Sequence, residues 1–277
     1  MANLQTSFHN KHILEKNLPT LPLFLEEASR LAHDPKTNFT QLAEVIGHDQ
    51  VISGKVLKVV NSAAYGFPRR IASIRNALVL LGFNVIKGLI VSTIVFDIVP
   101  SGMVQLWRHS VGCSIACKEL GSLLKMDNTD ELFLAGLLHD IGKVIVAVQL
   151  PEAKTEIDLI VSEEDLSFHE AEDRILGITH AQVGAWLAEH WNLPASLRSA
   201  LAYHHRPMSE KNFPAVPAIV QVGDFLTRLF EYGSGGDENV PRLDPNIFRT
   251  LGLNQHKLGL IVDAIGEKFE TGVIDLF

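Results

Sequence analysis

The sequence predicts an all-α fold, and three observations carry that expectation. Apolar residues recur at helical spacing along most of the chain, no run alternates convincingly as a strand, and capping or breaking residues fall where the periodic runs stop. Pro19 and Pro22 precede a helix over 22–33. Thr40 reads as the cap of a helix ending at Gly47, and Asp49 as the cap of another running to about Ala64. The Gly and Pro of YGFPRR, 65–70, mark a loop, and helices over 73–81 and 83–97 follow it. Pro100–Gly102 reads as a hinge. Beyond it lie a helix over 103–124 and a long one that Asn128 and Glu131 start as a capping box and Pro151 closes. Further helices fit 152–162, 167–175, 180–191, 195–205 and 215–231. EYGSGGDENVPR, 231–242, reads as a flexible connection before a short helical tail over 245–275. The expected organisation is an N-terminal helical lobe at 1–100, a second lobe at 103–231, and a connection with tail at 232–277.

Composition narrows the functional classes. An apolar fraction of 47% and a charged fraction of 20% over 277 residues suit a globular protein with a sizeable core. A formal charge of −8 argues against wholesale nucleic-acid binding. Lys55, Lys58, Arg69, Arg70, Arg75 and Lys87 stand in a stretch without acidic residues, which reads as solvated helix faces or as a docking patch for an acidic partner. Cys113 and Cys117, four apart in a helical pattern, read as small buried hydrophobes. No apolar leader is visible at the N-terminus. Residues 77–96 are apolar enough for a membrane span, but Asn84, Lys87, Gly82 and Gly88 make two buried core helices the better reading. A cytoplasmic protein with no membrane contact is expected.

The stretch GLLHDIGKVI, 136–145, poses the chemical problem, because His139, Asp140 and Lys143 interrupt what reads as one buried helix. Burying such groups without partners costs several kcal/mol, on the order of 3–5 for a broken charge pair. Others share the pattern. His109 lies on a stripe with Cys113, Ala116 and Leu120; His180 with Gly184, Leu187 and Trp191; His204 over Leu201 and Leu197, with His205 beside it; Asp224 within AIVQVGDFL. One inward histidine is ordinarily a satisfied core residue. Five histidines and two aspartates aimed inward exceed what hydrogen bonding can satisfy, and divalent metal ions resolve the conflict. A second HD pair, His48–Asp49, reads as a helix boundary, and His9, His12, His33, His169, His190 and His256 as solvated or structural.

These residues carry a resemblance. The second lobe resembles the HD superfamily of metal-dependent phosphohydrolases, so the expected architecture is a multi-helix HD-superfamily bundle preceded by the N-terminal helical lobe. Roughly 15–210 resembles the HDOD domain, the HD-related output domain of bacterial signalling. NSAAYG (61–66), IASIRNALVLLG (71–82), WRHS (107–110), AGLLHDIGK (135–143), HAQVGAWLAEHWNLP (180–194) and YHHRP (203–207) carry it. HDOD domains often lose the HD ligands, whereas this chain keeps them and looks like the di-metal branch that includes the HD-GYP phosphodiesterases. The resemblance implies two divalent transition-metal ions (Fe, Mn or Zn): His109, His139 and Asp224 on one, His180, His204 and His205 on the other, Asp140 bridging. It sets Lys143 near a substrate phosphate and makes Lys143 and Asp140 the catalytic candidates. No GYP-type loop follows YHHRP, and Gln105 stands where a carboxylate would recruit a third ion, so cleavage of cyclic dinucleotides is not implied.

Two functions follow as expectations. One is a bacterial signal-transduction module, regulatory or sensory, that retains the di-metal centre and engages a signalling protein partner. The other is an active metal-dependent phosphohydrolase acting on a phosphate-bearing small molecule such as a nucleotide.

Overall fold

A computed structural model describes residues 4–62, 65–98, 103–164 and 166–270. The described residues are helical, with no strand among them. In chain order the helices are α1 (Leu4–Lys16), α2 (Leu23–Ala32), α3 (Phe39–Gly47), α4 (Gln50–Val60), α5 (Ile74–Asp97), α6 (Val104–Leu123), α7 (Thr129–Leu138) and α8 (Ile141–Gln149). There follow α9 (Pro151–Glu164), α10 (Phe168–Leu176), α11 (His180–His190), α12 (Ala195–Tyr203), α13 (Ala215–Leu229), α14 (Pro245–Thr250) and α15 (Gln255–Glu270). The chain forms two compact units, one of residues 19–97 and one uniting residues up to 18 with residues 98–270. The hinge read at Pro100–Gly102 lies outside the described residues.

In the smaller unit, Asn38 rather than Thr40 caps α3. Its Oδ1 accepts from the Thr40 and Gln41 amides at 2.9 and 3.1 Å, and Gln41 Oε1 accepts from the Asn38 amide at 2.9 Å. Both Asn and Thr can cap, and the reciprocal bond to Gln41 favours the earlier residue. Asp49 caps α4 as expected, accepting from the Ile52 amide at 2.9 Å. That helix stops at Val60, short of Ala64, because Asn61 turns the chain. Its side-chain amide donates to Leu57 O and Ile71 O, and the Ile71 amide donates to its Oδ1. Gly82, at φ 77° and ψ 167°, breaks α5 into the two expected helices. In its most apolar window of 18 residues, 67% are buried within the protein.

In the larger unit, α6 packs between α7 and α13, α11 packs against both α8 and α12, and α15 lies on α6. The core is mostly aliphatic, with Leu137, Ile145, Val183, Leu187 and Val222 closed to solvent beside the aromatic Phe133. Truncating Leu137, Ile145 or Leu187 to alanine costs about 2–5 kcal/mol. The HD segment is two helices, not one. His139 ends α7 and Asp140, at φ −98° and ψ 8°, begins α8. Gly142 draws α8 onto α11 so closely that a Cβ there would sit 2.1 Å from His180 O. Asn128 makes no side-chain cap; Glu131 accepts from Ser196 Oγ instead. Cys113 and Cys117 are buried free thiols.

Candidate metal centre

Each inward histidine sits at or near a helix end or on the inner face of α6. His109 comes from α6, His139 and Asp140 from the α7–α8 junction, His180 from the first position of α11, His204 and His205 from the end of α12, and Asp224 from α13. The first-named six, apart from His205, and Asp224 are at most 2% exposed; His205 is half-buried. Every residue the sequence singled out as a ligand is therefore in one cluster. The ligand atoms of Asp140, His180, His204 and His205 lie within 4.8 Å of one another, as do those of His109, His139 and Asp224.

Backbone and carboxylate acceptors fix the tautomers. His139 Nδ1 meets Gly136 O at 2.7 Å, His204 Nδ1 meets Leu201 O at 2.9 Å, and His180 Nδ1 meets Glu172 Oε2 at 2.5 Å. These oxygens can only accept, so each Nδ1 carries the proton and each Nε2 presents a lone pair when the ring is neutral. Yet His180 Nε2 stands 3.3 Å from His204 Nε2 and 2.9 Å from His205 Nε2. A single proton on His180 could serve only one of them. Burial, joined by the neighbouring imidazoles, holds His204 and His205 well below the usual histidine pKa, so neither readily supplies a second proton.

Asp140 divides the cluster. Its Oδ2 faces His109 Nε2 at 3.8 Å and His139 Nε2 at 3.3 Å, while its Oδ1 faces His180 Nε2 at 3.2 Å and His204 Nε2 at 3.8 Å. Burial opposes its ionisation, but the His139 and Lys143 charges outweigh that and hold the carboxyl well below its ordinary range. His109 Nδ1 and Nε2, His139 Nε2 and Asp140 Oδ1 are buried without any hydrogen-bond partner. His109 Nε2 lies 3.0 Å from Asp224 Oδ1 without hydrogen-bond geometry. Orphaned polar atoms that converge in this way fit divalent cations bound by imidazole nitrogen and carboxylate oxygen.

Lys143 does not snorkel to solvent. It is 1% exposed, and its Nζ donates to Asp140 Oδ2 at 2.7 Å and to Gly235 O at 2.8 Å. The segment expected as a flexible connection is thus tied into the site. Arg228, one turn after Asp224, donates to Asp224 Oδ1 at 2.8 Å and to Asp237 Oδ1 at 2.5 Å, and these two carboxylates raise its pKa despite burial. A cleft of about 590 Å³ opens beside the cluster, lined among others by Lys143, His169, His205, Arg206, Arg228 and Arg242.

Two residues escaped the sequence reading. His169, set aside as solvated or structural, has its ring 4.4 Å from that of His205, and burial with the nearby charges lowers its pKa to about 4. Glu172 is fully buried, and its Oε2 accepts from both the ring and the backbone amide of His180. A carboxylate four residues after Phe168, on the inward face of α10, was the available signal.

The HDOD domain model matches residues 18–207. The chain belongs to the HDOD family. An HDOD domain protein of unknown function from Geobacter sulfurreducens is 26% identical, with a TM-score of 0.76 and 99% and 98% of the two chains covered. A candidate phosphohydrolase from Shewanella amazonensis SB2B shares the fold at 22% identity and a TM-score of 0.73, covering 97% of this chain and 96% of the other. An uncharacterized protein of Treponema pallidum (strain Nichols) is 26% identical over 263 residues, or 92% of this chain. The HDOD chain spans 50% of the length of that curated relative. Asp224, Arg228 and the segment beyond α13 lie outside the matched family region.

Proposed function

We propose that this HDOD chain is a regulatory or sensory signalling module built on a retained di-metal centre. His109, His139 and Asp224 would hold one ion, His180, His204 and His205 the other, and Asp140 would join them. The observation that carries this is the division of Asp140's two oxygens between two sets of histidines, one with the Nε2 atoms of His109 and His139 unpartnered, the other with the Nε2 atoms of His180, His204 and His205 crowded on one another. Near-complete burial of the ligands supports a role in which loading alters helix packing and is relayed to a protein partner. Elemental analysis of protein purified without added metal tests it. Close to two Fe, Mn or Zn ions per chain are expected, and metal-free protein indifferent to all three would refute the centre. Chelation should also lower Tm, by the equivalent of about 3–4 kcal/mol when free metal had exceeded Kd by 100- to 1,000-fold.

The cleft favours a second reading, a metal-dependent phosphohydrolase. Bound ions would supply a Lewis acid and an activated water. The chain's own part would be to orient the substrate. Lys143 and the arginines of the cleft would neutralise phosphate oxygens, Asp140 would fix the ammonium of Lys143, and the apolar wall at Phe168 would exclude water. A panel of nucleotides and model diesters separates the readings. Under the second, Lys143→Met keeps fold and metal but loses hydrolysis at least about 100-fold, the scale of one electrostatic contact. Hydrolysis of cyclic dinucleotides is expected to be weak or absent.

A further inference from the structure

The segment 232–242 runs over the cluster as an irregular strap. Gly233, at φ 78°, lies so near α6 that a Cβ would sit 2.3 Å from the His109 amide nitrogen, and the Ser234 amide donates to Gln105 O at 3.1 Å. Between Tyr232 and Ile247 the strap contributes no buried apolar side chain. Beyond Tyr232, which anchors its start on Phe269, it is held mainly by polar contacts, and such segments open at low free-energy cost.

Those polar contacts share a pattern. Gly235 O takes the Lys143 ammonium at 2.8 Å. Asp237 takes the Arg228 guanidinium on Oδ1 at 2.5 Å and the Phe168 amide, at the amino end of α10, on Oδ2 at 2.9 Å. Asn239 O takes Arg228 again at 3.0 Å. An ammonium, a guanidinium and a helix N-terminal amide are the donors that bind phosphate oxygens. Here the chain's own oxygens satisfy all three. Two cavities, of about 590 and 230 Å³, flank the strap, and Lys143 and Phe168 line both. Lifting the strap would join them into one groove along the cluster. At the rim of the larger cavity, Arg206 and Arg242 are exposed and, among the described residues, pair with no carboxylate.

We propose that the strap is a displaceable internal ligand. Its Asp237 carboxylate and Gly235 carbonyl occupy an oxyanion site formed by Lys143, Arg228 and the amino end of α10, and a phosphate-class anion takes that site by lifting the strap. Only the ligand class rests on the reading of the cluster as a phosphate-handling centre. Metal content measured on the same samples reports on that reading separately.

The test uses the full chain, titrated by calorimetry with orthophosphate and with a nucleoside monophosphate. Asp237→Asn removes the competing charge and leaves the donors in place, so at least one probe should bind about tenfold more tightly than to the wild type. Preference for the monophosphate assigns the site to an esterified phosphate and preference for orthophosphate to the free ion; either carries the proposal. Equal or weaker binding of both probes overturns it, leaving Asp237 as a structural partner of Arg228. Hydrogen exchange on the wild-type chain guards against a variant that fails to fold. High phosphate, compared with chloride at equal ionic strength, should accelerate exchange of the strap amides, and unchanged exchange overturns the proposal.

Discussion

On one side of Asp140, His109 and His139 are enclosed and Asp224, though 2% exposed, borders the cleft; on the other, His180 and His204 are equally buried but the half-buried His205 reaches into that cleft. The two sides are also supported differently. Asp224 shares its Oδ1 with the guanidinium of Arg228, which draws charge away from a prospective ion. His180 instead has the buried Glu172 behind its Nδ1, which makes the ring a stronger donor. The same residue types thus make a more deeply buried, charge-depleted half and a more accessible, charge-reinforced one. The second should bind its ion more tightly and exchange it more readily with solvent species.

The largest expected effect removes the distinction. Asp140→Ala takes an oxygen from both halves, so metal content should fall from close to two ions per chain to well below one, measured by elemental analysis. His180→Ala should remove one ion and spare the other, while His109→Ala does the converse. Loss of both ions from either variant would mean that the halves do not load independently. Glu172→Gln keeps the shape and removes the charge behind His180. It should weaken the second half alone, by about 10- to 100-fold in Kd by competition with a chromophoric chelator. An equal loss in both halves would break the comparison.

The smallest effect concerns pH and needs no metal. Burial lowers the pKa of His109, His169, His204 and His205, whereas carboxylates and other neighbours raise those of His139 and His180 against burial. A histidine held neutral by the fold binds its proton only on unfolding, so its stabilisation is lost as pH falls below about 6.5. For His169 that loss extends down to about 4. The raised pair works in the opposite sense but is outnumbered. The urea midpoint of chelator-treated protein should therefore fall between pH 7 and pH 5, and a flat profile would contradict this balance.

Most helices and the residues of the candidate cluster were legible in the sequence because periodicity and repeated inward polar residues are local signals. The break between α7 and α8 was not. Leu137, Leu138, Ile141 and Val144 continue an apolar pattern through it, and neither His139 nor Asp140 is a helix breaker. The close packing of Gly142 against His180 O, a contact distant in sequence, accompanies the turn. Glu172 escaped because a single carboxylate on an amphipathic helix ordinarily faces solvent. The strap escaped for a different reason. Its composition of Gly, Ser, Asp and Asn is that of a linker, and nothing local records that Lys143, 92 residues away, holds its carbonyl.

His139, Asp140, His180 and His204 share a position that has a mechanical consequence. Each lies at a helix terminus rather than mid-helix. A helix can pivot about its end without breaking its internal ladder, whereas bending at its middle costs hydrogen bonds. α7, α8, α11 and α12 thus meet at the cluster by their ends, which makes it a joint about which each helix would turn as a rod. A change at the joint would emerge far away as a rotation of whole rods.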